Sequence, residues 1–253
     1  MARPYILAET NWKTIEDTDY EVAILPWGAT EAHNYHLPYA TDNIQCDHIA
    51  AESARLAWDE GAKVIVLPTV PFGVNTGQLE IKFDINMNPS TQLSVLEDIV
   101  DSLEQQGIHK LVIINGHGGN DFKQMIRELQ PRFDVFLSTI NWFKIGDQKD
   151  IFDEPGDHAG EMETSLMMHI SPKLVQPLAE AGDGRERKFT IKGLREGLAW
   201  AQRDWEEASD DTGIGNPAAS TPDKGQEYFK VVTQKISEYL IDLHAADIDD
   251  LYE

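Results

Sequence analysis

Apolar runs recur along the first half of the chain, and longer amphipathic segments separate them. The runs occupy residues 21–26, 63–68, 110–115 and 134–141. Because these runs are apolar nearly throughout and do not alternate with polar residues, they predict strands that are largely buried on both faces of a sheet.

The segments between the runs carry apolar residues at helical spacing and end in glycine or at a proline, as helices commonly do. These segments are residues 42–61, 89–107 and 120–131. Strands and helices in alternation predict βαβ units. The pattern therefore indicates an α/β fold, a layered structure with a mostly parallel sheet and helices on both faces.

The C-terminal part of the chain is less regular. A last helix is predicted from about residue 226 to residue 246. Residues 178–224 are rich in Gly, Asp, Glu and Pro and show weaker periodicity, which favours a surface excursion over a second domain. We therefore predict one domain over residues 1–253.

Charge and composition restrict the partners. The chain has 44 acidic and 21 basic residues and a formal net charge of -23, which would repel a phosphate backbone or an anionic membrane. The single cysteine, Cys46, cannot form an internal disulfide. No apolar stretch approaches the roughly 20 residues that span a bilayer, and the N-terminal segment turns polar too soon for a signal peptide. We predict a cytoplasmic protein whose partner is a small polar molecule or a metal, with no nucleic acid and no membrane.

The segment that follows the first apolar run concentrates residues that bind metals. Residues 25–43 include Glu31, His33, His36 and Asp42. In extended backbone, residues two positions apart share a face, so Glu31 and His33 can point into one site while Asp42 folds back onto it. Asp42 is also placed where a helix N-cap would lie, so a capping role is the alternative.

The sequence NGHGGN, residues 115–120, lies between a predicted strand and a predicted helix. Parallel strands of an open sheet end at the crevice where ligands bind, and the flanking glycines permit a tight turn, so His117 is predicted to point into the site. The alternative is a glycine-rich anion cradle in which His117 is incidental, although neither GxGxxG nor a P-loop lysine is present.

A third segment, residues 156–170, contains HAGEMETS at the predicted entry to a helix. Glu161 and Glu163 lie about 200° apart around a helix, so only one of them can coordinate at a given site while the other supports it. His158 precedes the helix and suits a proton shuttle. The alternative is that both glutamates are first-turn acids favoured by the helix dipole.

Together the three segments resemble the creatininase (creatinine amidohydrolase) family over most of the chain. Its Glu-x-His-x-x-His-Leu-Pro stretch leading to Thr-Asp, its Asn-Gly-His-Gly-Gly-Asn and its His-Ala-Gly-Glu-x-Glu-Thr-Ser all occur here in order. Residues 213–229 also resemble the family's Gly-x-Gly-x-Pro segment with a following Lys-Gly. The resemblance implies a layered α/β fold, a site for two divalent ions (zinc, manganese or iron), hydrolysis of a cyclic or small amide C–N bond, and a homo-oligomer, specifically a hexamer.

The resemblance also implies roles for individual residues. The implied metal ligands are Glu31, His33, Asp42, His117 and Glu161, with Asp42 bridging the two ions. Creatininase takes one carboxylate from a glutamate at the position where this chain has Gly119, and Glu161 is then the natural substitute. The negative charges of three carboxylates and one hydroxide balance the positive charges of two divalent cations.

The implied mechanism is metal-assisted hydrolysis. The ions would activate a bridging water towards a pKa of about 7 and polarise the amide carbonyl. His158 would protonate the leaving nitrogen, and Glu163 would either orient His158 or hold the helix entry. Backbone N–H groups at Gly118 and Gly119 can share the oxyanion with a metal. The predicted substrate-binding residues are His36, Gly118, Gly119 and Asp157.

The chain departs from the family pattern where the substrate is expected to bind. Ala32, Asn34 and Tyr35 replace the usual Gln, Gly and Pro of the first motif. Residues 72–91 replace the usual tract that begins Tyr-Gly-x-Ser, and no tryptophan stands just before Gly156, where creatininase has one. These differences favour a substrate other than creatinine.

Three functions fit these patterns. The first is a dinuclear hydrolase of a small amide, lactam or formamide. The second is a peptide-trimming member of the same family, similar to the one in mycofactocin maturation, which an open groove would favour. The third is a metal-binding assembly protein without catalysis, against which the retention of the ligands and His158 argues.

Overall fold

A computed structural model describes residues 2–252. The strands are β1 (Val22–Trp27), β2 (Val64–Val66), β3 (Lys110–Asn115), β4 (Phe136–Asn141), β5 (Gly156–His158) and β6 (Ile214–Gly215). The α-helices are α1 (Trp12–Glu16), α2 (Thr41–Asp59), α3 (Pro89–Gln105), α4 (Phe122–Leu129), α5 (Glu161–Ile170), α6 (Lys192–Arg195), α7 (Trp205–Ala208) and α8 (Pro222–Ala245). Within residues 2–252, no helix is both long enough and apolar enough to cross a membrane.

The central sheet has four parallel strands in the order β2-β1-β3-β4. The chain runs outward from β1 to β2 and then crosses back to β3 on the other side of β1, so the strand order reverses between β1 and β3. Open parallel sheets bind ligands outside the carboxyl ends of the strands at such a reversal. Glu31 and His33 follow β1 and His117 follows β3, so the topology brings these residues to the same crevice.

Helices cover both faces of the sheet, as predicted. Alternate residues of β1 explain the two layers: Val22 and Ile24 pack with α2 and α8, whereas Leu25 and Trp27 pack with α3 and α4. Every residue of β1 and β3 is buried, which explains why their sequences do not alternate. The α/β fold with a parallel sheet is therefore confirmed, and the prediction of one domain stays a prediction.

Three features differ from the pattern-based prediction. Strand β4 is only half-buried: it lies at one edge of the sheet, whereas the other edge strand, β2, is also bridged by Ile6 and is buried. An antiparallel pair, β5 with β6, joins the third motif to residues 214–215, and the sequence did not predict it. Residues 183–208, which we call the arm, contain the short helices α6 and α7 and reach over the carboxyl ends of the strands, where they line the main cavity.

Helix α8 crosses α5 at a point of close backbone approach. Gly225 lies in the first turns of α8, and a Cβ there would collide with the backbone carbonyl of Ser165 in α5. The glycine therefore sets the position of α5 against the rest of the helical layer. This contact matters for the site because α5 carries Glu163 in its first turn.

We expect Gly225→Ala to destabilise the protein by about 1–3 kcal/mol, because overpacking against rigid backbone forces the two helices apart. At an exposed helix position the same change would stabilise by about 1 kcal/mol, so the sign of the effect is diagnostic. Urea unfolding of both proteins measures it. Equal or greater stability of the alanine variant would show that the close approach does not constrain the fold.

Candidate metal centre

Histidine and carboxylate side chains from four parts of the chain meet at the crevice beside β1 and β3. Glu31 and His33 come from the loop after β1, and Asp42 from the first turn of α2. We call the group the His–carboxylate cluster, and its members are Glu31, His33, Asp42, His117, His158 and Glu163. Each is at most 8% exposed, so bulk water has little access to the cluster.

The facing atoms lie close enough to share cations. His117 Nδ1 is 2.9 Å from Glu31 Oε1 and 3.2 Å from Asp42 Oδ2. On the other side of Asp42, His33 Nε2 is 3.0 Å from Oδ1. The cluster contains three groups whose ligand atoms all lie within 4.8 Å of one another: Glu31–His33–His158, Glu31–Asp42–His117 and His33–Asp42–Glu163.

Each histidine of the cluster is held by a backbone carbonyl through the ring nitrogen that faces away. His33 Nδ1 lies 3.1 Å from the carbonyl of Glu31, His117 Nε2 lies 3.0 Å from that of Val74, and His158 Nε2 lies 2.8 Å from that of Ala32. A carbonyl only accepts hydrogen bonds, so these nitrogens carry protons, and in the neutral rings that bind metals the opposite nitrogens present lone pairs to the cluster. Metal-binding histidines are commonly oriented in this way.

The electrostatics of the cluster favour additional positive charge. Burial disfavours the imidazolium of His33, but the adjacent Asp42 carboxylate outweighs this effect and raises the pKa of His33 to about 10. Burial also works against ionisation of Glu31, yet His117 and His158 keep the pKa of Glu31 well below its usual value. Burial raises the pKa of Glu163 to about 7. Protons and metal ions therefore compete for the same buried negative charge.

These residues fit a divalent cation. The donors are imidazole nitrogens and carboxylate oxygens, which suit zinc, manganese and iron. Asp42 Oδ2 is buried and accepts no hydrogen bond from the described residues, a costly arrangement that a bound cation would relieve. The alternative role of Asp42 as a helix cap does not match the structure, because Ala40 occupies the N-cap of α2 and Asp42 points into the cluster.

The NGHGGN turn positions His117 through asparagines that the sequence analysis did not assign. Asn115 Oδ1 accepts hydrogen bonds from the His117 backbone N–H at 3.1 Å and from Asn120 Nδ2 at 3.0 Å. A Cβ at Gly119 would collide with the backbone carbonyl of Val74, so this position excludes larger residues. The turn therefore holds His117 in the cluster, and His117 is not an incidental residue of an anion cradle.

The structure corrects the predicted fifth ligand. Glu161 turns away from the cluster: its carboxylate accepts hydrogen bonds from the backbone N–H groups of Asp153 and Glu154 at 2.8 and 2.7 Å and pairs with Lys224. Glu163, about 200° further around α5, faces His33 and Asp42 instead. The two glutamates of α5 therefore face opposite sides: Glu161 faces Lys224, and Glu163 belongs to the cluster.

The predicted substrate-binding residues divide into two sets. Gly118, Gly119 and Asp157 line the cavity above the cluster, where Asp157 forms an ion pair with Arg203 at 3.1 Å. His36 lies elsewhere: its Nε2 is 2.8 Å from Thr164 Oγ1, it is fully buried, and burial lowers its pKa to about 4. The prediction that His36 contacts substrate therefore does not match the structure, because α5 covers its ring.

The cavity above the cluster has a volume of about 1540 Å³ and is lined in large part by the arm. Trp205 of the arm packs edge-on against the ring of His158 with centroids 4.8 Å apart, and Arg203 lies over Trp205. On its other side, His158 contacts the ring of His33 at 4.1 Å. Trp205 and Arg203 were not predicted as site residues because they lie in a segment without periodicity or a recognisable motif.

Comparison with known proteins identifies the family. The family model described as creatinine amidohydrolase matches residues 8–240. The chain belongs to the creatininase family. This confirms the resemblance drawn from the three motifs and makes the chain a creatininase-family hydrolase.

Two curated members of the creatininase family illustrate its range. The chain is 25% identical to the creatinine amidohydrolase of Pseudomonas putida over 69% of this chain and 75% of that protein. It is 26% identical to the mycofactocin precursor peptide peptidase of Mycobacterium ulcerans (strain Agy99) over 81% of this chain and 79% of that protein.

Solved creatininase-family structures share the fold. A candidate creatinine amidohydrolase from Bacteroides fragilis NCTC 9343 superposes with a TM-score of 0.94 at 45% identity, and both chains are covered completely. A creatininase described as the Mn form superposes with a TM-score of 0.79 at 22% identity over 96% of this chain and 100% of that one. A mutant creatininase described as Zn-Zn type gives the same TM-score at 21% identity over 97% and 100%.

Proposed function

We propose that the protein is a hydrolase that depends on two divalent metal ions and cleaves an amide C–N bond. The observation that carries the proposal is the double use of Asp42, whose carboxylate belongs to both the Glu31–Asp42–His117 group and the His33–Asp42–Glu163 group. One ion would be held by each group, and Asp42 would bridge them. The Mn and Zn-Zn forms of the related creatininases support this choice of metals.

The ions would supply Lewis acidity and lower the pKa of a bound water towards neutrality. The chain itself supplies the proton donor. His158 Nε2 is fixed by the Ala32 carbonyl, so its Nδ1 faces the cluster and lies 3.7 Å from Glu31 Oε1. From that position Nδ1 can accept the proton that water releases as it attacks and pass it to the leaving nitrogen.

Stabilisation of the developing oxyanion is assigned to the turn after His117. Gly118 and Gly119 line the cavity, and their backbone N–H groups donate to no acceptor within residues 2–252. Backbone donors without a protein acceptor are available to stabilise an oxyanion in the cavity. Glu163 accepts a hydrogen bond from the Ala159 N–H at the helix entry, which agrees with the predicted holding role, and we assign it a second role as a metal ligand beside His33 and Asp42.

The substrate class has two candidates. A small amide, lactam or formamide agrees with the activity named for the Pseudomonas relative. The cavity of about 1540 Å³ favours a second candidate, a peptide, because ligand pockets for small molecules typically measure roughly 300–1,000 Å³. The mycofactocin peptidases, which act on a precursor peptide, support that candidate. A non-catalytic metal-binding role is the alternative to hydrolysis, and the placement of His158 argues against it.

Metal analysis and activity assays test the proposal together. The purified protein should contain about two equivalents of zinc, manganese or iron, and His117→Ala should contain markedly less. Lactams, formamides and short peptides should be assayed with the wild type, after chelation and after metal is restored. Metal-dependent release of an amine from one class would identify the substrate. A metal-free protein that is unchanged by His117→Ala would refute the proposal.

We also propose that the protein acts in the cytoplasm as a homo-oligomer on a small amide or a peptide, without nucleic acid or membrane. The charge of -23 supports the exclusion of anionic polymers and surfaces. The hexameric state follows from the family resemblance alone.

A further inference from the structure

Two segments outside the three motifs meet above the cluster and are bonded to each other. Residues 74–78 form a turn beside the cavity, and the arm lies against it. The Trp205 N–H donates to the Gly77 carbonyl at 3.0 Å, and Thr76 Oγ1 donates to Gln202 Oε1 at 2.6 Å. A Cβ at Gly77 would collide with the carbonyl of Arg203, so glycine is required for this approach.

Gln78 extends from this turn to a candidate metal ligand. Its side chain is 4% exposed, and its Nε2 donates a hydrogen bond to Glu31 Oε2 at 2.7 Å. An ionised carboxylate only accepts hydrogen bonds, so the amide must present its nitrogen to Glu31 and its orientation is not arbitrary. This is the shortest side-chain contact that Glu31 makes outside the His–carboxylate cluster.

The hydrogen bond gives the two oxygens of Glu31 different roles. Oε2 is occupied by Gln78, whereas Oε1 faces His117 Nδ1 at 2.9 Å and His158 Nδ1 at 3.7 Å. A carboxylate that is free to rotate could present either oxygen or both to a cation. Gln78 removes that freedom and leaves one oxygen for the cluster.

The rest of Gln78 is held by backbone contacts, and its second amide atom has no partner. The Gln78 backbone N–H donates to the Asn75 carbonyl at 3.0 Å, and Asn75 Nδ2 donates to the carbonyls of Thr30 and Ile85. Gln78 Oε1 is buried and accepts nothing from the described residues. Burying an amide with an unpaired oxygen lowers stability, so stability does not account for a glutamine here. The hydrogen bond from its Nε2 to Glu31 does.

We propose that Gln78 is a positioning residue that orients Glu31 for the metal ion held by the Glu31–Asp42–His117 group. The proposal rests on the dinuclear site of the proposed function. Partners that orient metal ligands typically contribute about 10–100-fold to metal affinity. Because Glu31 is absent from the His33–Asp42–Glu163 group, the effect should be confined to one of the two ions.

Stepwise titration of the metal-free protein with Zn²⁺ in competition with a chromophoric chelator separates the two binding steps. Gln78→Met keeps the length of the side chain and removes the donor, and we expect it to weaken one step by about 10–100-fold and leave the other within about threefold. Thr76→Val is the matched control: it breaks the bond to Gln202 on the same turn without touching Glu31, and both steps should stay within about threefold of the wild type.

Three outcomes would overturn the proposal: unchanged binding by Gln78→Met, equal weakening of both steps, or the same selective weakening in Thr76→Val. If Gln78→Met fails to fold, Gln78→Leu provides the same test. A wild type that binds no Zn²⁺ would refute the proposed function and this proposal together. A wild type with two steps that Gln78→Met leaves unchanged would refute this proposal alone.

Discussion

Replacing Asp42 by alanine is expected to remove both metal ions and to abolish hydrolysis. Its Oδ1 lies 3.0 Å from His33 Nε2 and its Oδ2 lies 3.2 Å from His117 Nδ1, so one carboxylate joins the two halves of the cluster. Glu31 and Glu163 each belong to only one of the two groups assigned to metal ions, and losing either leaves the other group complete. Asp42 is the residue whose loss damages both.

Elemental analysis after gel filtration should show a fall from about two equivalents of metal to less than about 0.2. Activity on the substrate found with the panel should fall by at least about 10³-fold, since metal assistance contributes several kcal/mol to such reactions. Asp47→Ala is the control, because Asp47 is an exposed acid one turn further along α2 that hydrogen-bonds Thr69. It should keep its metal and its activity.

The Asp42→Ala variant is expected to fold without metal. Loss of Asp42 removes the buried partner of His33 and His117, so the metal-free variant should be less stable than the wild type, while the core that holds the two helical layers on the sheet is untouched. A native-like circular dichroism spectrum would therefore separate loss of the site from loss of the fold. Retention of two equivalents by a folded Asp42→Ala would contradict the bridging assignment.

Much of the fold follows from local patterns. Strands β1 and β3 are buried on both faces, and their unbroken apolar sequences predict this burial. The half-buried edge position of β4 does not follow, because an apolar run cannot show how many neighbours a strand will have. The short β5–β6 pair joins residues more than fifty positions apart and has no hydrophobic signature.

The site was predictable where topology decides it. Residues that follow parallel strands meet at one edge of the sheet, which brings Glu31, His33 and His117 together. The choice between Glu161 and Glu163 was not predictable from spacing, which shows only that the two face apart. That choice depends on how α5 is rotated, and the rotation is set by Lys224 and Gly225 of α8. Gln78 and Trp205 lie in segments whose positions depend on each other.

The opposite roles of Glu161 and Glu163 predict opposite effects of the same substitution. Glu163→Gln is expected to lose about one of two metal equivalents and at least about 100-fold in activity, because an amide oxygen is a weaker ligand than a carboxylate. The Glu31–Asp42–His117 group stays intact in this variant and should keep its ion. Stability without metal should change little, since burial raises the pKa of Glu163 to about 7 and the carboxyl is therefore already partly protonated at neutral pH.

Glu161→Gln should keep both metal equivalents and lose stability. Its carboxylate is fully buried and pairs with the partly exposed Lys224 while it accepts hydrogen bonds from the N–H groups of Asp153 and Glu154. Removing one partner of such a pair costs about 3–5 kcal/mol when both are buried, and the exposure of Lys224 reduces this to about 2 kcal/mol. The corresponding fall in melting temperature is about 4–8 °C for a chain of this size.

The two variants serve as controls for each other, because each removes one charge from the first turns of α5. Metal content and melting temperature, measured on both proteins with and without a chelator, separate the roles completely. Loss of metal by Glu161→Gln together with full retention by Glu163→Gln would return the ligand assignment to Glu161. That result would require α5 to rotate by about 200° relative to α8, and the collision of a Gly225 Cβ with Ser165 shows how little room the helices have to move.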